Sequence, residues 1–436
     1  MLKIGILEGD DIGLEVVPEA VKVMKKKLIA LAVAGIVAAP AIVSAADDEG
    51  APAATKPIAG GTSIQIFGRI YTEYSYSSNR GQAGSASGAP VGELVSADLL
   101  QAPDSEIGIK GEESLGGGYA AWFQCASTAD IRGAGTGAGN QGFCGRNSAL
   151  GIKGAFGNLY AGNWDTPWKR SVPAVRIVNS TGAFGASPIL FGNSVTANDN
   201  GSPSVWYRRQ NNSIVYDTPV WNGLQLYTLA STTSSAVGAT TNLSGAKPRL
   251  YSVAANYSNG PLLLTGAYEV HQNFKVGAAV NPNYGGTDTG YMLGARYLFG
   301  PVKVGLIYTK QKMDGGNGTD ANVSAWGLAG EWAVSGKHGI RAGYDRANST
   351  TGSFVAGPGS TLLSGSNRVF NGGLGNTGGA LWQASYVFNA SKRTEFAAGY
   401  VEMKNDSNAR YSLNGFTAPA AGQGQSAVAV SMKHLF

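Results

Sequence analysis

Cysteine and histidine, two residues suited to metal binding and nucleophilic chemistry, are scarce in this chain of 436 residues, which has two cysteines and three histidines. Cys125 and Cys144 flank 18 glycine-rich residues, a spacing that a disulfide can close if the chain is exported to an oxidising compartment. The ring would stabilise the fold by about 3 kcal/mol in the loop-entropy model. The alternative is a pair of independent buried thiols. This inventory predicts no metal site, and no cofactor is expected.

The three histidines give little support for catalysis. His271, His338 and His434 lie far apart in strand-like segments, and no motif places a serine beside any of them. Folding can still assemble a Ser/His/acid group from distant residues, so a barrel hydrolase remains an alternative. We predict that the chain is not an enzyme.

Charged residues carry a stronger signal, because they recur opposite rows of apolar residues. In residues 63–76, one face holds Ile64, Ile66, Gly68 and Ile70, and the other holds Gln65, Arg69, Tyr71 and Glu73. Later segments oppose apolar and aromatic rows to Arg296, Lys303, Arg341 and Gln383 in the same way. A strand between lipid and water needs this period of two. More than ten such segments predict a transmembrane β-barrel.

Composition agrees with a weakly charged β protein. The chain has 64 glycines and only 14% charged residues, against averages of about 7% glycine and about 25% charge. Glycine shows no three-residue period, so collagen is excluded, and only residues 28–46 could form a spanning helix. The net charge of +5 is dispersed, which predicts no nucleic-acid partner.

The connections between these segments alternate in length. Seven short ones occupy residues 113–118, 154–158, 218–223, 257–261, 299–301, 335–337 and 389–392. Eight long ones occupy 79–97, 126–145, 163–203, 231–247, 273–288, 312–321, 348–378 and 405–424. Fifteen connections give sixteen strands, with short turns at one end and long loops at the other, as in outer-membrane barrels. The predicted fold class is therefore all-β, a sixteen-stranded antiparallel transmembrane barrel.

The N-terminus predicts export. From Met24 the chain reads MKKKLIALAVAGIVAAPAIVSA, a basic start, an apolar stretch and a small-residue ending. This pattern predicts a signal peptide over 24–45, with a transmembrane anchor as the alternative. A flexible leader over 46–61 and the barrel over 62–436 are expected to follow. Residues 1–23 contain KIGILEGDDIG, which resembles the opening of isocitrate and isopropylmalate dehydrogenases; we interpret them as an extraneous extension.

Several segments of the barrel region resemble the Gram-negative trimeric porins. They read SEIGIKGEESLGGGYAAWFQCA at 105–126, RNSALGIKGAFGNLYAG at 146–162, RRQNNSIVYDTPVWNG at 208–223, SKRT at 391–394 and SMKHLF at the end of the chain. The resemblance implies short periplasmic turns and a homotrimer whose barrels pass small hydrophilic solutes by diffusion. It also implies that the third long loop, residues 163–203, folds inward to narrow the pore. Phe436 corresponds to the family's terminal assembly signal.

The resemblance also suggests which charges line the pore. Arg69 and Arg146 stand at positions where the family has wall arginines, and Arg208 or Arg209 begins the sixth strand. The predicted lumen set is Arg69, Glu73, Glu106, Lys110, Arg146, Lys153, Asp165, Lys169, Arg208 and Arg296.

Two positions depart from the family pattern. Glu106 and Asn163 replace arginines that the family commonly has, which weakens the expected anion preference to a mild one. Pore-lining charges set ion preference, and pore width sets the size limit.

The predicted function is an outer-membrane diffusion channel for small hydrophilic solutes and ions, in a Gram-negative bacterium. The alternatives are a channel specific for a sugar or an organic anion, an outer-membrane enzyme, and a plugged structural or adhesive barrel. The expected partners are further copies of the chain, outer-membrane lipid and lipopolysaccharide, the barrel-assembly machinery and the solutes that pass.

Overall fold

The computed structural model describes residues 62–80, 94–132, 142–178, 182–192, 206–232, 249–274, 286–316, 318–354 and 372–436. The predicted N-terminal extension, signal peptide and leader lie outside these described residues. Within the described ranges, no helix has both the length and the apolar character needed to cross a membrane.

Strand segments form one closed antiparallel sheet. They are β1 Thr62–Arg80, β2 Leu94–Gln101, β3 Glu106–Gly116, β4 Tyr119–Thr128, β5 Ser148–Gly154, β6 Gly157–Asp165, β7 Arg209–Asp217, β8 Leu224–Ser231, β9 Arg249–Asn259, β10 Leu262–Phe274, β11 Gly286–Phe299, β12 Val302–Gly316, β13 Thr319–Ser335, β14 His338–Ala347, β15 Gly379–Asn389, β16 Thr394–Asn405 and β17 Gln425–Leu435. From β3 to β17, consecutive segments pair with one another, and β17 pairs with β1. The barrel is therefore closed.

Two of these segments belong to one spanning strand. Both β2 and β3 pair with β1, with Gln101 opposite Glu73 and Glu106 opposite Arg69. In the gap between them, the Ser105 hydroxyl donates to the Tyr71 carbonyl and accepts from the Tyr71 amide, each at 2.9 Å. A side chain thus replaces the interrupted backbone ladder. The 17 segments make sixteen spanning strands, which confirms the predicted fold class.

The two faces of the barrel follow the predicted alternation. On β1, Ile64 and Ile66 are 59% and 64% exposed, whereas Arg69 and Glu73 on the other face are 6% and 0% exposed. Because apolar side chains point outward, the outer surface suits lipid and the charges face the interior. Aromatic rings also lie at the turn end of the outer face, where Tyr297 and Phe299 are 4.4 Å apart.

Turns agree with the predicted connections at all seven short positions. The prediction of a sixth long loop over 312–321 was wrong. There β12 continues to Gly316 and β13 starts at Thr319, so the ladder extends to a tight hairpin. Polar residues at the strand ends hid this extension, because alternation of polar with apolar residues stops where strands leave the lipid.

A second layer lies inside the barrel. The described residues between β6 and β7 form two helices, α1 Pro167–Val175 and α2 Ser187–Phe191. Helix α1 packs against β6 and β8 to β12, and α2 packs against β12 to β15. Their apolar side chains, with Trp206 and the segment around Tyr411, form a buried cluster against inward-facing alanines, methionines and leucines of the strands.

Candidate functional site

The segment between β6 and β7, residues 166–208, is called loop three here. It begins with Thr166, whose hydroxyl accepts from the Lys169 amide at 3.3 Å, followed by Pro167 in the first turn of α1. A threonine cap and an early proline favour helix initiation at this point. The backbone amide of Trp168 then donates to the Ser252 hydroxyl of β9 at 3.3 Å, which places α1 against the inner wall.

Arg170 holds α1 to the wall at β6 and β7. Its guanidinium donates to both Asp217 oxygens, at 2.7 and 2.8 Å, and to the Tyr160 hydroxyl at 3.0 Å. The ring of Tyr227 lies 4.4 Å away on the other side. Burial alone would lower the pKa of Arg170, but electrostatic interactions with Tyr160 and Asp217 outweigh it and raise the pKa above its ordinary value. Arg170 is therefore a permanently charged anchor.

Arg176 anchors loop three to the wall at a second place, on β14. Its Nη1 donates to Asp345 Oδ1 at 2.9 Å, and both side chains are almost fully buried. The next apolar residues, Ile177 and Val178, pack on Ala329 of β13. A buried ion pair of this kind fixes position strongly, because losing one partner leaves an uncompensated charge.

Glu73 holds the turn of loop three that precedes α2. Its carboxylate accepts from the Ala183 amide at 2.6 Å and from the Tyr71 hydroxyl at 3.1 Å. The Asn414 amide donates to the carbonyls of Gly182 and Gly185 in the same turn, at 3.1 and 3.3 Å. Glu73 thus lies on the lumen face, but its carboxylate is used to position loop three.

Beyond this turn, α2 is also held from the wall. Thr309 and Gln311, both on the inner face of β12, donate to the Leu190 carbonyl at 2.9 and 3.2 Å. Loop three therefore bonds to β1, β7, β12 and β14, which are spread around the closed sheet. It crosses the interior and narrows it.

The wall opposite α1 in the closed strand order carries the predicted arginines. Arg146 Nε donates to Glu106 Oε2 at 2.8 Å, and Arg69 Nη2 lies 3.9 Å from Glu106 Oε1. The main-chain oxygen of Asp104, in the gap between β2 and β3, accepts from Arg69 Nε at 2.9 Å. Glu106 therefore stands between two arginines and shares its charge with both.

Asp165, at the end of β6, is surrounded by donors. Lys169 Nζ lies 3.0 Å and Arg209 Nε 3.3 Å from its Oδ1, and the Asn147 amide donates to Oδ2 at 2.8 Å. Arg208 is also buried, and its carbonyl accepts from the Thr166 amide at 3.2 Å. Both neighbouring arginines are buried because β7 starts only at Arg209, so strand alternation does not apply to Arg208.

The remaining predicted lumen charges lie nearer the turn end. Lys153 pairs with Glu112 at 2.7 Å, and Lys110 Nζ lies 5.0 Å from the centre of the Phe67 ring. Arg296 is half-buried on the inner face of β11.

The sequence predicted many of the inward-facing charged residues, but it did not predict which of them form ion pairs with one another. Glu395 bonds both Arg341, at 2.9 Å, and Lys433, at 3.4 Å. Strand period alone places Glu395 and Lys433 on the inner face and could have found them. Asn147 and Asn414 gave no such signal, since asparagine is common in loops.

The structure joins Cys125 and Cys144 in a disulfide at the base of the second long loop. Phe436 closes the barrel, since its backbone exchanges hydrogen bonds with Gly68 at 3.0 and 3.1 Å and its ring lies over that glycine.

Across the described ranges, no group of three or more His, Cys, Asp or Glu is arranged to hold a metal. His271 is buried, bonds Glu269 at 2.8 Å and stacks on Trp206.

Comparison with known sequences finds a consistent group of relatives. A sequence model described as Gram-negative porin matches residues 30–408. The major outer membrane protein P.IB of Neisseria gonorrhoeae is 28% identical over 237 residues, 54% of each chain. The outer membrane porin protein 32 of Delftia acidovorans is 24% identical over 95% of this chain and 100% of its own. This chain spans about half the length of the Neisseria relatives that it matches.

Comparison with solved structures shows the same fold. The anion-selective porin from Comamonas acidovorans superimposes with a TM-score of 0.65 at 20% identity, over 86% of this chain and all of the other. At this identity the similarity describes the barrel architecture.

Proposed function

This chain belongs to the Gram-negative porin family and is an outer-membrane protein, and from that premise we propose that it forms a water-filled channel for passive diffusion of small hydrophilic solutes and ions. Sixteen strands enclose an interior too wide for side chains alone to fill. The observation that carries the proposal is the course of loop three. It is bonded at Asp217, Asp345 and Glu73, so it narrows the lumen at a fixed place.

A mild anion preference is the second part of the proposal. Arg69 and Arg146 lie beside two carboxylates, because Glu106 is near both arginines and Asp104 Oδ1 is 3.8 Å from Arg146 Nη2, whereas Lys169 and Arg209 share one carboxylate, Asp165. The charges of the first cluster therefore balance, and the second cluster has two cations around one carboxylate. An excess of fixed positive charge in a narrow aqueous passage raises the local concentration of anions. The anion selectivity stated for the Comamonas acidovorans porin agrees with this direction.

The proposed partners follow from the outer face. Around the closure of the barrel, Ile64, Ile66, Val428 and Val430 are each more than half exposed and carry no charge. This apolar surface supports contact between copies in a homotrimer. Elsewhere the aromatic residues suit outer-membrane lipid and lipopolysaccharide. The terminal Phe436 is the proposed signal to the barrel-assembly machinery.

Reversal potential in a planar bilayer under a salt gradient tests the function and its selectivity together. We expect ohmic conductance and a potential with the sign of modest anion preference. Absence of conductance in refolded barrels would favour a plugged structural barrel, and a clear cation preference would refute the charge argument. Saturable block by one sugar or organic anion would favour the substrate-specific alternative.

The boundaries of the mature chain are a separate proposal. We expect the signal peptide over 24–45 to be removed, leaving the leader and the barrel. Sequencing the N-terminus of protein purified from outer membranes tests this, and retention of residues 1–23 would contradict it.

A further inference from the structure

Arg296, on the inner face of β11, has no counter-charge among the described residues. Its Nε is buried without a hydrogen-bond partner, and the structure gives its guanidinium no ion pair among the described residues. By contrast, Arg69, Arg146 and Arg341 of the inner wall each contact a carboxylate. A half-buried guanidinium without an anion is costly, because it loses hydration and gains nothing in exchange.

Arg296 lies directly on the turn side of loop three. Val175, the last residue of α1, covers Gly294 on the same strand and Gly305 on β12, leaving no room for a side chain at Gly305. Gly305 is the register partner of Arg296. A solute that passes the constriction therefore meets Arg296 next on this side of the wall.

A second cation lies beside Arg296 without an acid between them. Lys303 pairs in register with Leu298, two residues from Arg296, so the two cations are diagonal neighbours on the inner face, with Cβ atoms about 7 Å apart. The nearest carboxylate to Lys303 is Glu331, at 3.4 Å, but its tighter contact is with Arg341, at 2.6 Å. Lys303 thus has only a shared counter-charge.

The charges continue along β11 to β17 as a lower belt, defined as Arg296, Lys303, Glu331, Arg341, Glu395 and Lys433. Neighbouring members from Lys303 to Lys433 contact one another at 2.6 to 3.4 Å. The belt has four cations and two carboxylates, 4 − 2 = +2 in formal charge. The surplus lies at its Arg296 end, where two cations adjoin.

We propose that Arg296 and Lys303 form an anion-binding subsite on the periplasmic side of the constriction, which takes a small oxyanion such as phosphate or a carboxylate. The guanidinium offers two parallel N–H donors that match the oxyanion geometry, and Lys303 supplies a second charge. The subsite rests on the proposed channel function and deepens it. It gives the pore a binding step after the constriction, besides the charge clusters on the opposite wall.

Block of chloride current by inorganic phosphate tests the subsite. In the wild type, we expect phosphate to reduce the chloride conductance with a saturable concentration dependence. In Arg296→Gln, the half-blocking concentration should rise about tenfold, because the substitution removes the charge and the paired donors that hold the oxyanion; this corresponds to about 1.4 kcal/mol. Arg296→Lys keeps the charge without the paired donors and should give an intermediate value. Lys312→Gln, an exposed lysine on the outer face of β12, is the matched control and should block like the wild type.

Equal block in the wild type and Arg296→Gln would overturn the subsite, as would a conducting wild type that phosphate does not block saturably. If no variant conducts, the channel proposal fails separately. Phosphate binding to the folded barrels in detergent, followed by ³¹P line broadening, then decides the subsite by itself. Broadening that is lost in Arg296→Gln supports it, and broadening unchanged by that substitution refutes it.

Discussion

Arg146 donates from Nε to Oε2 of Glu106 at 2.8 Å, so an acidic side chain lies within the basic wall of the pore. The same carboxylate lies 3.9 Å from Arg69. One side chain thus both lowers the positive charge of the wall and holds two arginines in place.

Glu106→Gln should increase anion selectivity. The amide keeps a hydrogen-bond acceptor for Arg146 but removes the negative charge that two arginines share. We expect the anion-to-cation permeability ratio, measured from reversal potentials, to rise about two- to fivefold at low salt and less at high salt, where screening is strong. Glu402→Gln, on the outer face, is the control and should not shift the ratio. An unchanged ratio in Glu106→Gln would show that this cluster does not govern selectivity.

Arg176→Met should loosen loop three. It removes one side of the buried pair with Asp345, and breaking a buried pair costs about 3–5 kcal/mol because the remaining charge has no partner. Because the loop keeps its bonds at Asp217 and Glu73, we expect the barrel to fold and single-channel recordings to show larger current noise. The double variant Arg176→Met with Asp345→Leu should show less current noise than Arg176→Met alone, because no uncompensated charge remains. Wild-type noise in Arg176→Met would refute the anchoring role.

Replacing both cysteines with serine should lower the stability of the folded barrel. The disulfide closes the base of the second long loop, and losing such a ring costs about 3 kcal/mol in the loop-entropy model. Unfolding in urea, followed by the heat-modifiable shift on gels, measures this loss. Conductance should stay at the wild-type level, since the disulfide lies outside the lumen clusters. Wild-type stability of the double serine variant would argue against the predicted contribution.

Phe436→Ala should reduce assembly and closure. The ring of Phe436 covers Gly68, and the terminal backbone pairs with β1 at the place where the barrel closes. We expect a several-fold lower amount of folded protein in outer membranes, and a smaller loss on refolding in detergent. Phe299→Ala, also exposed on the outer face at the turn end, provides the comparison. Equal losses in both variants would assign Phe436 a packing role only.

The sequence predicted the barrel well because period two is a local property. Within each strand, the alternation of apolar and polar residues indicates which face meets lipid, as Ile64 and Arg69 show on β1. It predicted where charges face but not how they pair. The contacts of Arg170 with Asp217 and of Arg176 with Asp345 join residues 47 and 169 positions apart. Such pairs depend on the path of loop three, which has no repeating pattern to read.

The interrupted strand shows the same limit. Nothing in Pro103, Asp104 and Ser105 indicates that the Ser105 hydroxyl completes the ladder of β1. The predicted connections at 79–97 and 113–118 placed these three residues inside one strand, so the strand count was right although the interruption was not predicted. The hairpin between β12 and β13 gave the reverse error, because the sequence predicted a long loop over 312–321 where the two strands continue.

Asn414 belongs to the last long loop, yet its amide holds the carbonyls of Gly182 and Gly185 inside the barrel. The last long loop is therefore tied to loop three through one side chain. A change in the last long loop that moves Asn414 would also release the turn of loop three at Gly182 and Gly185, so the two loops are not structurally independent.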